Sequence, residues 1–244
     1  MGLRKPFLLF IILPVFLGFT TCGIDEYFYL PQISQGTESA TGVKIMLPSI
    51  SSNFYYASSY VIFYKIYLSN AIHETTINIS LFNDISTHLV NDWNNLRRFV
   101  DSTTTSIPAR SDFFDRGYYE LQFQTSNLLR VTPGTTPSRN MEIIFNPAEP
   151  AEILMDNVSQ GNILRNDSFE HSPNADFLSS DELRSNENAG KGNVYNHDVA
   201  ALESTGTALY AYVSMFILTS GTNPTSFNPI FSKPTHLGVF LLRS

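Results

Sequence analysis

The chain has 244 residues, 43% hydrophobic and 15% charged, with 22 acidic against 15 basic side chains and a formal net charge of −7. That length and apolar content suit one large domain or two small ones with a buried core. The acidic balance, without a basic run, argues against nucleic-acid binding. A single cysteine excludes an internal disulfide framework and a cysteine-based zinc site.

The most informative stretch comes first. Arg4 and Lys5 are followed by Phe7–Phe19, thirteen uncharged and strongly apolar residues interrupted only by Pro14 and Gly18, and then by Thr20-Thr21-Cys22-Gly23. A run that short does not span a hydrocarbon core, which takes ~20 apolar residues as a helix. Positive charge, a short apolar run and small polar residues, in that order, make a secretory signal. The arrangement resembles a bacterial lipoprotein signal with its lipobox cysteine. Phe19 and Thr21 stand where the usual box has Leu and a small residue, a relaxation expected in spirochaetes. The resemblance implies cleavage between Thr21 and Cys22, a diacylglyceryl group on the Cys22 thiol and an acylated new amino group. The competing readings are an ordinary cleaved signal followed by a free thiol, and an N-terminal membrane anchor. Each buried CH₂ contributes ~0.8 kcal/mol, so two or three acyl chains on one residue hold a protein at a bilayer where one chain does not. Cleavage removes two positive charges and no negative one, taking the net charge from −7 to −9. Anionic headgroups would repel that sign, so the lipid does the holding.

Residues 24–30 are aromatic-rich, and Pro31–Gly42 is a polar stretch with Pro and two Gly that reads as a tether. The expected organisation is a signal at 1–21, a lipidated tether at 22–43 and a single folded domain at 44–244. Tyr60–Leu68 is β-branched and aromatic with one charge, Lys65, and predicts a strand buried on both faces. Across Leu81–Val100 the period changes. Phe82, Ile85, Leu89, Trp93, Leu96 and Val100 step by three and four on one helical face, with Asn83 or Asp84 as cap and Asp92, Asn95 and Arg98 on the other side. Tyr119–Gln124 alternates as a half-exposed strand. Val131–Arg139 reads as a turn. Met141–Phe145 and Glu152–Met155 read as short strands, and Gln160-Gly161-Asn162 as a turn. Asn166–Asp198 is polar and reads as an exposed excursion with a short helix near Asp181–Arg184. Ala208–Thr219 predicts a long buried strand, Gly221–Pro224 a turn and His236–Leu242 the last strand. Short strands, Pro/Gly/Asn turns and one prominent helix predict a mainly β antiparallel sandwich, with a helical insertion at about 82–101 and an irregular excursion at about 166–198.

The strand Tyr210-Ala-Tyr212-Val-Ser-Met, the Ser232-Lys233-Pro234 lead-in and the apolar last strand look like the final two strands of a fibronectin type III domain. Tyr60–Tyr67 is similar to the aromatic third strand of that fold. These residues cover about a third of the chain. The lipobox, the run Cys22-Gly-Ile-Asp-Glu-Tyr-Phe-Tyr and the C-terminal strand pair together resemble the lipoproteins of treponemal-type spirochaetes. That resemblance implies an envelope location and no particular activity.

Catalytic signatures are missing from the sequence. There is no Gly-x-Ser-x-Gly elbow, and His73-Glu74 is not continued as a zinc-protease motif. His197-Asp198 lacks a positioned nucleophile. Gly190-Lys191-Gly192 lacks the rest of a P-loop. Asp181, Asn186, Glu187 and Asn188 gather oxygen ligands, but at no EF-hand spacing. Asp112 and Asp115 beside Phe113 and Phe114 form a carboxylate pair that a sugar-cleaving cleft would need at ~5–5.5 or ~6.5–9.5 Å; a turn with exposed acids is the simpler reading. Asn78, Asn157 and Asn166 match the N-glycosylation pattern; if the host is bacterial, as the lipobox suggests, these are coincidence in an Asn-rich chain. The sequence therefore predicts no catalytic residue, no metal ligand and no cofactor beyond a covalent lipid on Cys22. The expected protein is exported and non-enzymatic. It is lipid-anchored to a bacterial membrane, at the periplasmic face or the cell surface, and presents a sandwich to a protein or glycan ligand. Two further readings stand beside it: a glycan-processing envelope enzyme, and a structural scaffold of an envelope complex.

Overall fold

The structure is a computed structural model that describes residues 30–39, 42–69, 87–100, 107–123, 125, 127–145, 151–164, 199–200 and 210–243. It is mainly β, with two curled, largely antiparallel sheets arranged as in a β-sandwich. In the first sheet the order is β1 (Thr37–Ser39), β2 (Gly42–Leu47), β6 (Arg139–Ile144), β7 (Glu152–Met155), β8 (Val158–Leu164) and β5 (Gln122–Phe123). The second sheet is built on β3 (Ala57–Ser69) and β10 (Tyr210–Thr222), paired antiparallel over nearly their whole length. β12 (Thr235–Arg243) and β11 (Pro229–Phe231) flank β10, while β4 (Tyr119–Glu120) and the parallel β9 (Val199–Ala200) flank β3.

The period of two along β3 sorts its side chains into two cores. Tyr60, Ile62, Tyr64, Ile66 and Leu68 face the first sheet, where they meet Val43, Ile45, Met141, Ile143, Ile153 and Ile163. Val61, Phe63 and Tyr67 face the opposite way and are covered by α1 (Thr87–Val100) and α2 (Arg110–Phe114) through Leu89, Trp93, Leu96, Phe99 and Phe113. β10 divides in the same way: Val213, Met215 and Ile217 lie inside the sandwich, and Tyr212, Phe216 and Leu218 lie beneath the helices. The strands predicted to be buried on both faces are buried because the helices form a third layer over the second sheet. Ring contacts fix that layer: Phe113 stacks on Phe63 at 4.4 Å, and Trp93 lies parallel to Phe216 at 6.2 Å.

Several expectations change in detail. Leu30 and Ile33 are buried, and β1 precedes Lys44, so residues 30–39 belong to the packed domain and not to a free tether. Their polar composition conceals two apolar anchors. On α1 the buried stripe runs through Phe99, with Val100 only partly covered. Residues 81–86, with the predicted cap, lie outside the described residues. The predicted strand at 119–124 is a corner: Tyr119–Glu120 pairs with β3, Gln122–Phe123 pairs with β8, and Leu121 lies between them with its N–H on Ile62 O at 2.8 Å.

The turn expected at Gln160-Gly161-Asn162 is instead an irregular part of β8. The chain reverses earlier, at Asp156-Asn157, where both residues have positive φ (52 and 66) and close a two-residue hairpin between Met155 and Val158. The Asp156 carboxylate secures that turn by accepting from Asn140 N–H at 2.8 Å and Arg139 Nε at 3.0 Å. Gly221 lies within β10, and the reversal follows at Asn223–Asn228. A Cβ at Gly221 would stand 2.3 Å from the Tyr56 carbonyl oxygen, so only glycine allows that approach.

Candidate functional site

The second sheet's outer face should be wholly apolar under the helices, yet polar side chains interrupt it on β3, β10 and β12. Lys65 of β3 and Ser214 of β10 stand opposite each other in the ladder. An ammonium there needs a counter-charge, because burial of an unpaired ion is strongly unfavourable. Helix α1 supplies it. Lys65 Nζ donates to Asp92 Oδ2 at 2.5 Å and to the Arg116 carbonyl at 2.6 Å, and the two charged side chains are only 12% and 14% exposed. Tyr67 donates its hydroxyl to the same Asp92 oxygen at 2.7 Å, and its own oxygen lies 3.0 Å from the Tyr118 hydroxyl. Tyr118 reaches Ser214 Oγ at 3.3 Å, and Ser214 Oγ lies 3.4 Å from His236 Nε2. A continuous polar row thus crosses the interior from α1 to β12.

Electrostatics decides what this row does. Burial holds the His236 imidazole down to a pKa of about 3, so it is neutral. Burial, reinforced by the Asp92 charge, raises the Tyr67 and Tyr118 phenols well above the ordinary tyrosine range. The imidazole is therefore neutral and the phenols keep their protons at neutral pH. The row is a tie that fixes the orientation of α1 on the sheet. Sequence reasoning set Asp92 on the outer side of the helix. The signal that locates it is Lys65, the lone charge in a strand with two apolar faces.

His236 also borders a hollow of about 310 Å³ together with Gln32, Ile33, Ser34, Gln35, Val100 and Thr235. A second hollow, about 350 Å³, lies along the edge of β3 between Ser58–Ile62, Glu120–Phe123 and Asn127–Arg130. The first places the Ser34 and Thr235 hydroxyls beside the neutral His236 imidazole, and the second places the Ser58 and Ser59 hydroxyls in a lining that also holds Glu120 and Arg130.

Cys22, the predicted lipid site, lies outside the described residues. So do His73, the His197-Asp198 pair, the Gly190–Gly192 loop, the oxygen-rich group at 181–188, and Asn78 and Asn166. Asn157 is described and is the second residue of the hairpin turn. Asp112 and Asp115 are not poised as a hydrolytic pair. One Asp112 oxygen accepts the Ala109 N–H at 2.8 Å at the start of α2, and the other faces Arg98 at 3.4 Å and Arg116 at 3.9 Å; Asp115 is exposed. Among the described residues no group of three or more His, Cys, Asp or Glu side chains could hold a metal ion. No described helix is long and apolar enough to cross a membrane. No family model matches the chain, and neither a curated protein nor a solved structure matches it significantly.

Proposed function

We propose that the protein is a lipid-anchored bacterial envelope protein that acts by binding rather than catalysis, holding a β-sandwich off the membrane for a protein or glycan partner. The observation that carries this reading is Cys22, the only cysteine of the chain, standing directly behind a positive, apolar and small-residue leader. Anchoring through two or three acyl chains needs no basic face, which suits an acidic chain.

The finer fold we infer is of the immunoglobulin or fibronectin type III kind. Strand order supports it: β1, β2 and β6 neighbour one another in one sheet, and β12, β10 and β3 in the other. These correspond to strands A, B and E against G, F and C of that architecture. The hairpin β7–β8 extends the first sheet, and α1 enters between the third strand and its neighbour.

Partner binding is assigned to the polar excursion at 166–198. The described strand ends that border it, Leu164 and Val199, lie towards the opposite end of the sandwich from Leu30. An anchored domain would therefore hold that excursion away from the bilayer. The test is metabolic labelling with palmitate. Label is expected in the wild-type chain and absent after Cys22→Ser; incorporation that survives the substitution refutes anchoring at that residue.

A further inference from the structure

One end of the sandwich gathers the loops 48–56, 131–138, 156–157 and 223–228. Backbone bonds tie them together: Thr222 N–H to Tyr56 O at 3.0 Å, Gly134 N–H to Ile50 O at 2.7 Å and Asp156 N–H to Asn140 O at 2.7 Å. Four of the large apolar side chains with the greatest exposure sit at or beside this end: Met46 (63%), Tyr55 (66%), Val158 (61%) and Phe227 (78%). Phe227 is at the tip of the β10–β11 hairpin with φ 59, a conformation that a bulky side chain adopts only against steric resistance. The turn is built to hold it. The Asn223 side chain accepts from Thr225 and Ser226 N–H at 2.8 and 3.0 Å, and Phe227 N–H donates to Asn223 O at 2.8 Å. A single exposed apolar residue is ordinary, but four gathered at one end call for a partner.

Charge and chain direction identify that partner. The loops 48–56, 131–138, 156–157 and 223–228 contain one charged residue, Asp156, which is paired with Arg139, in a chain of net −7. The described chain also enters at this end. Ile33 O accepts from the Thr235 hydroxyl, level with Ile217 of β10, and Pro31 O accepts from Thr219 Oγ1 at 2.6 Å. Followed back from 33 to 31, the chain runs towards the β10–β11 hairpin. Leu30 is eight positions after Cys22, a distance of at most ~28 Å if extended.

We propose that this end rests on the bilayer, with Phe227 and Tyr55 in the headgroup region and Met46 and Val158 beside them. The inference rests on the anchoring reading above. Aromatic rings favour the membrane interface, and a tethered domain needs only a weak contact there because the encounter is intramolecular. The contact would fix the domain's orientation and direct its far end outward.

The test uses the full lipidated chain on vesicles of phosphatidylcholine and phosphatidylglycerol. Phe227→Cys, Tyr55→Cys and the control Asn94→Cys, an exposed position on α1, each carry a nitroxide. Flotation is measured first, then collisions of each label with oxygen and with a polar reagent. The expected result is that all three variants float. The oxygen-to-polar ratio should be several-fold higher at 227 and 55 than at 94, and that difference should vanish in detergent-free buffer after Cys22→Ser. A protein that floats with its tip labels as water-exposed as the control overturns the contact and leaves anchoring intact. A protein that does not float overturns both.

Discussion

Replacing Asp92 separates a buried ion pair from a decorative one. The carboxylate accepts from Lys65 Nζ at 2.5 Å and from the Tyr67 hydroxyl at 2.7 Å, and both charged side chains are almost fully covered. Asp92→Leu leaves the ammonium without a counter-charge, with the Arg116 carbonyl at 2.6 Å and the Tyr67 and Tyr118 rings at 5.3 and 5.9 Å as its neighbours, and leaves the phenol without its charged acceptor. Breaking a buried pair from one side costs about 3–5 kcal/mol, against ~0.2–1 kcal/mol for an exposed pair. The expected loss for Asp92→Leu is in the upper range. The double variant Lys65→Met with Asp92→Leu removes both charges and should recover most of that loss. Urea unfolding followed by fluorescence of the single tryptophan, Trp93, reports directly on this layer, because the indole stacks over Phe216 in the same interface. A loss below about 1 kcal/mol for Asp92→Leu, or a double variant weaker than either single one, would refute the reasoning.

Gly221→Ala forces a Cβ to within 2.3 Å of the Tyr56 carbonyl oxygen, and Gly42→Ala brings one to 1.8 Å from that of Ile143. Each should destabilise by about 1–3 kcal/mol or more in thermal or urea unfolding, and unchanged stability would contradict the close approaches. The His236 pKa lies near 3 in the folded chain against about 6.5 unfolded, so between these values the unfolded chain binds more protons. Stability attributable to this group is therefore complete above about pH 6.5 and declines as pH falls towards 3. Relative to pH 7, wild type should lose about 3 kcal/mol more at pH 4 than His236→Gln does, and equal losses would show that the imidazole is not buried neutral.

Much of the architecture was legible because burial leaves a periodic trace. Eight apolar or aromatic residues around a single lysine named β3 as a strand covered on both sides, and Leu89, Trp93 and Leu96 marked the inner face of α1. The cover itself was not legible, since nothing in β3 says whether a sheet or a helix lies over Phe63. The reversal at Asp156-Asn157 was missed because Asn-Gly and Asp-Gly are the stronger hairpin signals, and nearby Gly161 drew the turn to itself. The switch of sheets at Leu121 leaves alternation intact on both sides and so is silent in the pattern. The polar row was half visible: Lys65 stood out as the lone charge of β3, but which acid meets it depends on how α1 docks. The end carrying Phe227 and Tyr55 was invisible to periodicity, because it is assembled by loops far apart in the chain.

Anchoring at Cys22 is tested most directly by intact and peptide mass spectrometry of the protein isolated from the cells that make it. The predicted result is a chain that begins at Cys22 and carries a diacylglyceryl group on the sulfur. A bare thiol at that position, or a chain that still bears its leader, would contradict the proposed placement in the envelope.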